Sequence, residues 1–320
     1  MRVEQRRPSY AVGMLCSLFG YSRQAYYQQI KAQEQQALQE DLLLQEVLRI
    51  RQTQKRLGAR KLLVMMTYFM SEHRIEMGRD AFFELLREQG LLIRKRRRSR
   101  PQTTFSSHWL RKYSNLIIGF VPVAPNQLWV SDITYIHLQS GFAYLSLITD
   151  AYSHKIVGFY LCEDLSAYGC NCALEMALRG NPIHQGLFHH SDRGLQYCSS
   201  GYVKLLQDHA VAISMTQKGD PLENALAERV NGILKEELLE VVYPTFAAAQ
   251  LAIAEAISIY NFQRPHSSVD MLTPVEAHAR TGALKKHWKN YYAIKKSKTG
   301  VDGTSHAGQT VGEKTISVKL

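Results

Sequence analysis

The stretch Leu128-Trp129-Val130-Ser131-Asp132-Ile133-Thr134-Tyr135-Ile136 is dense in β-branched and aromatic residues, and here the chain changes from helical to extended patterning. Downstream, Gly141 marks a turn, and residues 142–148 and 155–161 read as second and third strands. A helix is expected over 166–178, a short strand over 186–189, a helix over 201–208 and a strand over 211–215. Long helices are expected at about 221–240 and 245–262. Three strands followed by alternating helices and strands predict an α/β core with a mixed sheet flanked by helices, spanning residues 126–281.

Upstream the period is helical. Met14, Leu15, Leu18 and Phe19 give an apolar face, Gly20 breaks it, and Ser22 can cap a second short helix through Ala25, Tyr26 and Tyr27. Two short helices about a turn have the shape of a helix-turn-helix, which would place Arg23 near DNA. Residues 36–90 read as helical throughout. Their apolar stripes are Leu42, Leu43, Leu44, Val47, Leu48 and Ile50, then Leu62, Leu63, Met65, Met66 and Phe69, then Phe82, Phe83, Leu85 and Leu86, and Gly90 closes the last. Gly58, Arg60 and Lys61 fall between the first two stripes. The run Arg94-Lys95-Arg96-Arg97-Arg98-Ser99-Arg100 carries six cations in seven residues, suited to tracking a phosphate backbone. The expected organisation is an all-α helix-turn-helix region over 1–95, a basic linker over 96–125, the core over 126–281 and a basic, partly flexible tail over 282–320.

Charge follows the same divisions. Residues 1–125 hold 22 Lys and Arg against 10 Asp and Glu, residues 126–281 hold 9 against 16, and residues 282–320 hold 8 against 2. Basic flanks about an acidic centre suit DNA-binding arms serving a metal site. The 320 residues are 45% hydrophobic, which excludes wholesale disorder, and no run of about 18 apolar residues could span a bilayer. Arg6 and Arg7 before an apolar stretch imitate a leader, but no small-residue cleavage site follows, so a helix of the mature chain is expected. Five cysteines without a Cys-x-x-Cys pair fit a reducing, cytoplasmic setting.

Three carboxylates in the acidic centre attract attention. Asp132 lies within the first strand, where burial needs compensation. Asp192 follows a strand end in His189-His190-Ser191-Asp192-Arg193-Gly194-Leu195-Gln196-Tyr197. Glu228 lies on a helix whose Asn224, Glu228, Asn231 and Lys235 share one face by spacing. Converging carboxylates invite a hard divalent cation, Mg²⁺ or Mn²⁺ rather than Zn²⁺, and two such ions suit phosphodiester chemistry. Asp150, Asp208 and Glu237 are read as ordinary surface charges. For His189 and His190, metal ligation beside Asp192 is one reading, and positioning of that loop or of a DNA phosphate is the favoured one. For Arg264 and His266, core packing and DNA contact are equally open. Trp129 is expected in the core and Tyr135 on the wall of the site.

These words resemble the OrfB product of bacterial insertion sequences of the IS-three type, DDE transposases with a retroviral-integrase-like catalytic core. The resemblance rests on Trp129 through Tyr135, on His190 through Tyr197, and on Asn224-Ala225-Leu226-Ala227-Glu228 with Leu234-Lys235. It continues through Tyr260-Asn261-Phe262-Gln263-Arg264-Pro265-His266-Ser267-Ser268 and Thr273-Pro274. Thirty-five residues separate Asp192 from Glu228, the spacing of the family's name, and Lys235 matches its basic residue seven positions later. Gly20-Tyr21-Ser22-Arg23 and Gly58-Ala59-Arg60-Lys61 resemble its N-terminal segments, and the likeness covers about residues 12–280.

The resemblance implies an RNase H-like core in which Asp132, Asp192 and Glu228 are catalytic and hold two Mg²⁺ ions, with Mn²⁺ as a substitute. It implies 3′-end cleavage and strand transfer of an insertion sequence, with Lys235, Asn231, Arg23, Arg60, Arg96, Arg97 and Arg98 on DNA. Implied partners are the element's ends, target DNA, an OrfA product or OrfA–OrfB fusion, and further copies of the chain on DNA, in a bacterial cytoplasm at the nucleoid. With no long heptad repeat at its start, the chain reads as the OrfB half alone. The alternatives are a DNA-binding regulator on a catalytically retired integrase fold, disfavoured because all three carboxylates are present, and a structure-specific nuclease, disfavoured by the basic helical front.

Overall fold

Ser22 Oγ accepts a hydrogen bond from the Ala25 N–H, 3.0 Å away, and starts the longest helix of the computed structural model, which describes residues 12–93, 109–181, 186–217 and 224–287. Helix α1 (Val12–Leu18) precedes it. Helix α2 runs unbroken from Arg23 to Thr53, so the short second helix expected of a helix-turn-helix is not what forms. The reason is compositional: Arg23–Thr53 contains no Gly or Pro and is rich in Gln, Ala, Leu and Glu. Its first half packs on little. Its second half buries Leu43, Val47 and Ile50 against α3 (Ala59–Met65), α4 (Thr67–Glu72) and α5 (Arg79–Glu88), where Leu62, Met66, Phe82 and Leu86 complete a separate hydrophobic core. Breaks at 54–58 and 73–78 interrupt the helicity expected over 36–90.

The second unit is a five-stranded sheet of order β3-β2-β1-β4-β5. Strands β1 (Leu128–Leu138), β2 (Gly141–Asp150) and β3 (Ile156–Cys162) form an antiparallel meander. Strands β4 (Phe188–Ser191) and β5 (Ala212–Met215) join parallel to β1 after helical crossovers, α6 (Ala167–Gly180) and α7 (Ser200–Asp208). Expected at 186–189, β4 lies two residues later because its register is set from both sides, Phe188 opposite Leu128 and Ser191 opposite Met215.

Both faces of the sheet are covered, so β2 reads as a nearly continuous buried run. On one face Trp129 and Ile148 pack with Leu174, Tyr202 and Leu206 of α6 and α7. On the other, Ile136, Leu145 and Leu147 meet Val230 and Ile233 of α8 (Ala225–Ile233) and Ile253 and Tyr260 of α9 (Phe246–Phe262). This mixed sheet between helical layers is the RNase H-like α/β architecture expected. The long helix expected at 221–240 is instead α8 followed by a π-helical turn, Leu234–Leu238, closed by Leu239 N–H on the Leu234 carbonyl at 2.8 Å. A short helix, α10 (Pro274–His278), was not anticipated, although Thr273-Pro274 with Glu276 spells its capping box.

The described part of the expected linker is held to the sheet edge. Met215 N–H donates to the Ser114 carbonyl and Leu116 N–H to Ser214 Oγ. Among the described residues no helix is long and apolar enough to cross a membrane. All five cysteines are free.

Candidate active site

Parallel pairing places the two aspartates. Val130 is opposite His190, so Asp132 and Asp192 each lie two residues beyond a matched pair, close enough for the charge of Asp192 to act on Asp132. Strand β4 ends at Ser191, which puts Asp192 in the loop at the strand's carboxyl end. There its Oδ1 accepts the Gly194 N–H at 2.9 Å. A Cβ at Gly194 would sit 3.0 Å from that oxygen, so glycine lets the loop fold tightly back on Asp192.

Helix α8 supplies the third side. Asn224 Nδ2 donates to the Ser131 carbonyl at 3.0 Å and Asn231 Nδ2 to Asp132 Oδ2 at 2.7 Å. The face carrying Asn224, Glu228 and Asn231 is therefore turned to β1. Asn231, expected on DNA, is buried, and its Nδ2 is directed at the Asp132 carboxylate. Glu228 lies in the first turn of α8 and is exposed.

Asp132 is half-buried and its other oxygen accepts the Ile133 N–H at 2.9 Å. Burial, then repulsion from Asp192, push its pKa up to about 7; the Asn231 and Ile133 hydrogen bonds oppose the rise, and Glu228 adds to it. Thus all three carboxylates share one electrostatic neighbourhood. Among the described residues, however, no three His, Cys, Asp or Glu side chains lie close enough together to hold an ion. The aspartates form a pair, and Glu228 contributes charge without closing a third corner. Lys235, in the π-helical turn, has its pKa lowered by burial and raised by Asp132, which places its ammonium within electrostatic reach of that carboxylate. The donors present fit a hard cation: carboxylate oxygens, with the buried Asn224 Oδ1 and Asn231 Oδ1 making no hydrogen bond within the protein.

The histidines before Asp192 serve the interior. His189 Nε2 lies 2.6 Å from Ser131 Oγ and 2.8 Å from the Tyr202 hydroxyl, and burial pushes its pKa down to about 3, so it is neutral. His190 Nδ1 lies 2.9 Å from Ser214 Oγ. Together they tie β4 to β1 and β5 behind the aspartates.

Several expectations need correction. Tyr135 is an odd number of residues from Asp132 on β1, so it faces the opposite side, where it meets Tyr144 and Phe142. Asp150 is fully buried, accepting the Asn126 N–H at 2.8 Å and the Ser153 N–H and hydroxyl at 2.8 and 2.7 Å. Glu237 accepts a fork from Arg264, Nε at 2.9 Å and Nη2 at 2.8 Å. Arg264 is 2% exposed and also donates to His266 at 3.0 Å, which resolves both residues as core packing. Asp208 is exposed, as expected of a surface charge, and so is Arg60. Arg23 folds back over Gly13 of α1. Arg96, Arg97, Arg98 and the tail beyond residue 287 lie outside the described residues.

The mixed sheet places Asp132 on β1 and Asp192 just past β4, with Glu228 on the helix packed against β1. Residues 122–221 and 209–274 match two families, each described as integrase core domain. The uncharacterized 31 kDa protein of insertion element IS600 from Shigella sonnei is 36% identical, covering 81% of this chain and 96% of its own. The transposase for insertion sequence element IS629 from the same organism is 29% identical over 86% and 94%. Transposase InsF for insertion sequence IS3A of Escherichia coli is 32% identical over 59% and 66%. Among solved structures, the HTLV-2 integrase catalytic core domain in complex with magnesium is similar at 19% identity, covering 49% of this chain and 99% of that one, with a TM-score of 0.40. The chain belongs to the insertion-sequence transposases with an integrase core.

Proposed function

We propose that this chain is a DDE transposase that cuts the 3′ ends of its insertion sequence and joins them to target DNA, with Asp132, Asp192 and Glu228 as the reacting site. The observation that carries the reading is the pair of aspartates side by side on parallel chains with the charge of Glu228 acting on Asp132. Carboxylate oxygens gathered in one neighbourhood favour a hard divalent cation, and Asp132, Asp192 and Glu228 would hold it, Glu228 turning inward from its exposed position. When bound, two Mg²⁺ ions, or Mn²⁺ in their place, supply positive charge to the attacking and leaving oxygens.

The protein's own part is positional. Asn231 fixes the plane of the Asp132 carboxylate, and the Gly194 N–H holds Asp192. Lys235 offers a cation to a phosphate beside Asp132. Hydrolysis of one phosphodiester frees a 3′-hydroxyl at the element's end, and that hydroxyl attacks a second phosphodiester in the target. No protein nucleophile is consumed.

Arg23, Arg60 and the basic run with Arg96, Arg97 and Arg98 would hold DNA phosphates, with the helical region over 1–95 and the 96–125 segment as DNA-binding elements and 126–281 as the catalytic core. Two copies would bring two element ends together, and an OrfA product would complete recognition of those ends. Tight, sequence-specific capture of the terminal repeat by this chain alone would contradict that last assignment.

Nicking of supercoiled plasmid by the purified chain tests the reading, with Mg²⁺, Mn²⁺ and EDTA compared and Glu228→Gln run beside it. The expected result is metal-dependent nicking that falls at least about 100-fold in Glu228→Gln while DNA binding persists. Nicking that survives the substitution would place the chemistry elsewhere.

A further inference from the structure

Lys61 belongs to the word Gly58-Ala59-Arg60-Lys61 and carries a cation suited to DNA, yet its Nζ lies 3.3 Å from Glu237 Oε1 on the catalytic core. Both side chains are largely buried, about 20% exposed. A second, exposed bridge runs alongside, Lys55 Nζ to Glu240 Oε1 at 2.7 Å. Lys61, in the first turn of α3, therefore holds the π-helical turn at Glu237, and Lys55, just after α2, holds the chain two residues past the turn at Glu240. Helical periodicity does the rest: residues two apart point in opposite directions, so Lys235 looks toward Asp132 while Glu237 looks toward Lys61 and Arg264.

We propose that Lys61 and Glu237 form a latch by which the docked helical region holds the π-helical turn, making Glu237 a positioning residue for Lys235 beside Asp132. The inference rests on the reading of Asp132, Asp192 and Glu228 as the reacting site. Arg264 already satisfies both oxygens of Glu237 from within the core, so the core has a complete buried pair without Lys61. What Lys61 adds is a link to a unit with its own hydrophobic core. Its ammonium is buried at a cost: desolvation and the nearby Arg264 lower its pKa to about 8, against the pull of Glu237. A cation placed there gains most from Glu237, and leaves when the helical region leaves. The π-helical turn is the responsive part, because its wide hydrogen-bonded ring is a less stable geometry than the α-helix on which Glu228 sits. DNA that draws the helical region away would release the turn, and DNA that presses it home would fix it.

Hydrogen exchange on the full chain tests the latch without relying on activity. Lys61→Met should speed exchange of the Leu239 amide, which closes the π-helical turn, by about tenfold while amides in α5 stay unchanged, and Lys61→Arg should restore it. At saturating DNA, Lys61→Met should slow nicking about tenfold with the DNA Kd unchanged, and Lys61→Met with Lys235→Met should be no slower than Lys235→Met alone. Weaker DNA binding with an unchanged saturated rate and unchanged Leu239 exchange would overturn the proposal in favour of a DNA contact. Faster exchange throughout the helical region, with additive effects in the double variant, would overturn it in favour of a merely structural role. Absence of nicking by the wild-type chain in any metal would discard the reading of the reacting site, and exchange at Leu239 would still decide the latch by itself.

Discussion

Asp132→Asn is expected to abolish cleavage and, at the same time, to raise the melting temperature of the metal-free protein at pH 8. Both effects come from one carboxylate. In the folded chain Asp132 ionises near 7, against about 4 for an unfolded aspartate. Between those values the folded chain holds a proton that the unfolded chain has lost, so its stability falls as pH rises from about 4 to about 7 and stays reduced above that. Asparagine keeps one acceptor oxygen, for Asn231, loses the one that meets the Ile133 N–H, and carries no charge at any pH. Because Asp132 is only half-buried, solvent screens part of the penalty; a gain on the order of 2 kcal/mol, roughly 4–8 °C, is expected at pH 8 and should vanish near pH 4. Addition of Mg²⁺ at about 100 times its Kd should stabilise the parent by about 2.7 kcal/mol and the variant much less. Nicking should fall by about 10³ or more, equivalent to ~4 kcal/mol of barrier. A variant that melts below the parent at pH 8 would refute the electrostatic reading, and one that nicks at the parent's rate would refute the catalytic one.

Gly158→Ala should be the most damaging alanine substitution among the described glycines. A Cβ at Gly158 on β3 would lie 2.2 Å from the Ala173 carbonyl oxygen and 2.9 Å from Ala177 Cβ, both on α6. Neither obstacle is the tip of a flexible side chain. Relief requires α6 to move off the sheet, and that opens the cluster in which Ile148, Val157, Cys170, Ala173 and Leu174 are packed. Overpacking of this kind costs about 3 kcal/mol or more, so a melting temperature about 10 °C lower, or loss of soluble protein, is expected. Gly201→Ala on α7 is the natural control. Its nearest neighbour would be Asn171 Nδ2 at 3.5 Å, an ordinary contact, and alanine's better helix propensity should leave stability equal or slightly higher. Equal losses in the two variants would show that helix–sheet contact at Gly158 is not what limits substitution there.

Which of these features the amino-acid sequence discloses depends on how local their causes are. The β-rich word around Asp132, the Gly141 turn, Ser22 as a cap and the alternation of helices and strands after residue 160 are written in neighbouring residues, and they suffice for the fold class. The face that Tyr135 presents is legible as well, since strand parity from Asp132 decides it. The unbroken α2 was legible too, in the absence of Gly and Pro from Arg23 to Thr53. Other features have partners far along the chain. Glu237 looks like one more acidic residue on a helix until Arg264, 27 residues away, and Lys61, 176 residues away, are brought to it. Asp150 becomes a buried anchor only because the Asn126 N–H and Ser153 surround it. The hydrogen bond from Asn231 to Asp132 is not legible, because helical spacing shows which residues share a face, not which face meets the sheet.

The placing of β4 between β1 and β5 also governs when the site can come into being. The antiparallel meander can form from local hairpins, but the parallel pair needs the chain to return across α6, and the Asn231–Asp132 hydrogen bond joins residues 99 apart. Such non-local closures are slow steps in folding. During synthesis, a nascent chain that has emerged only as far as β5 already has both aspartates, but neither Asn231, which orients the first, nor Glu228. A ribosome-bound fragment is thus a scaffold without a finished cutting edge, and completion waits until α8 has left the exit tunnel and settled on β1.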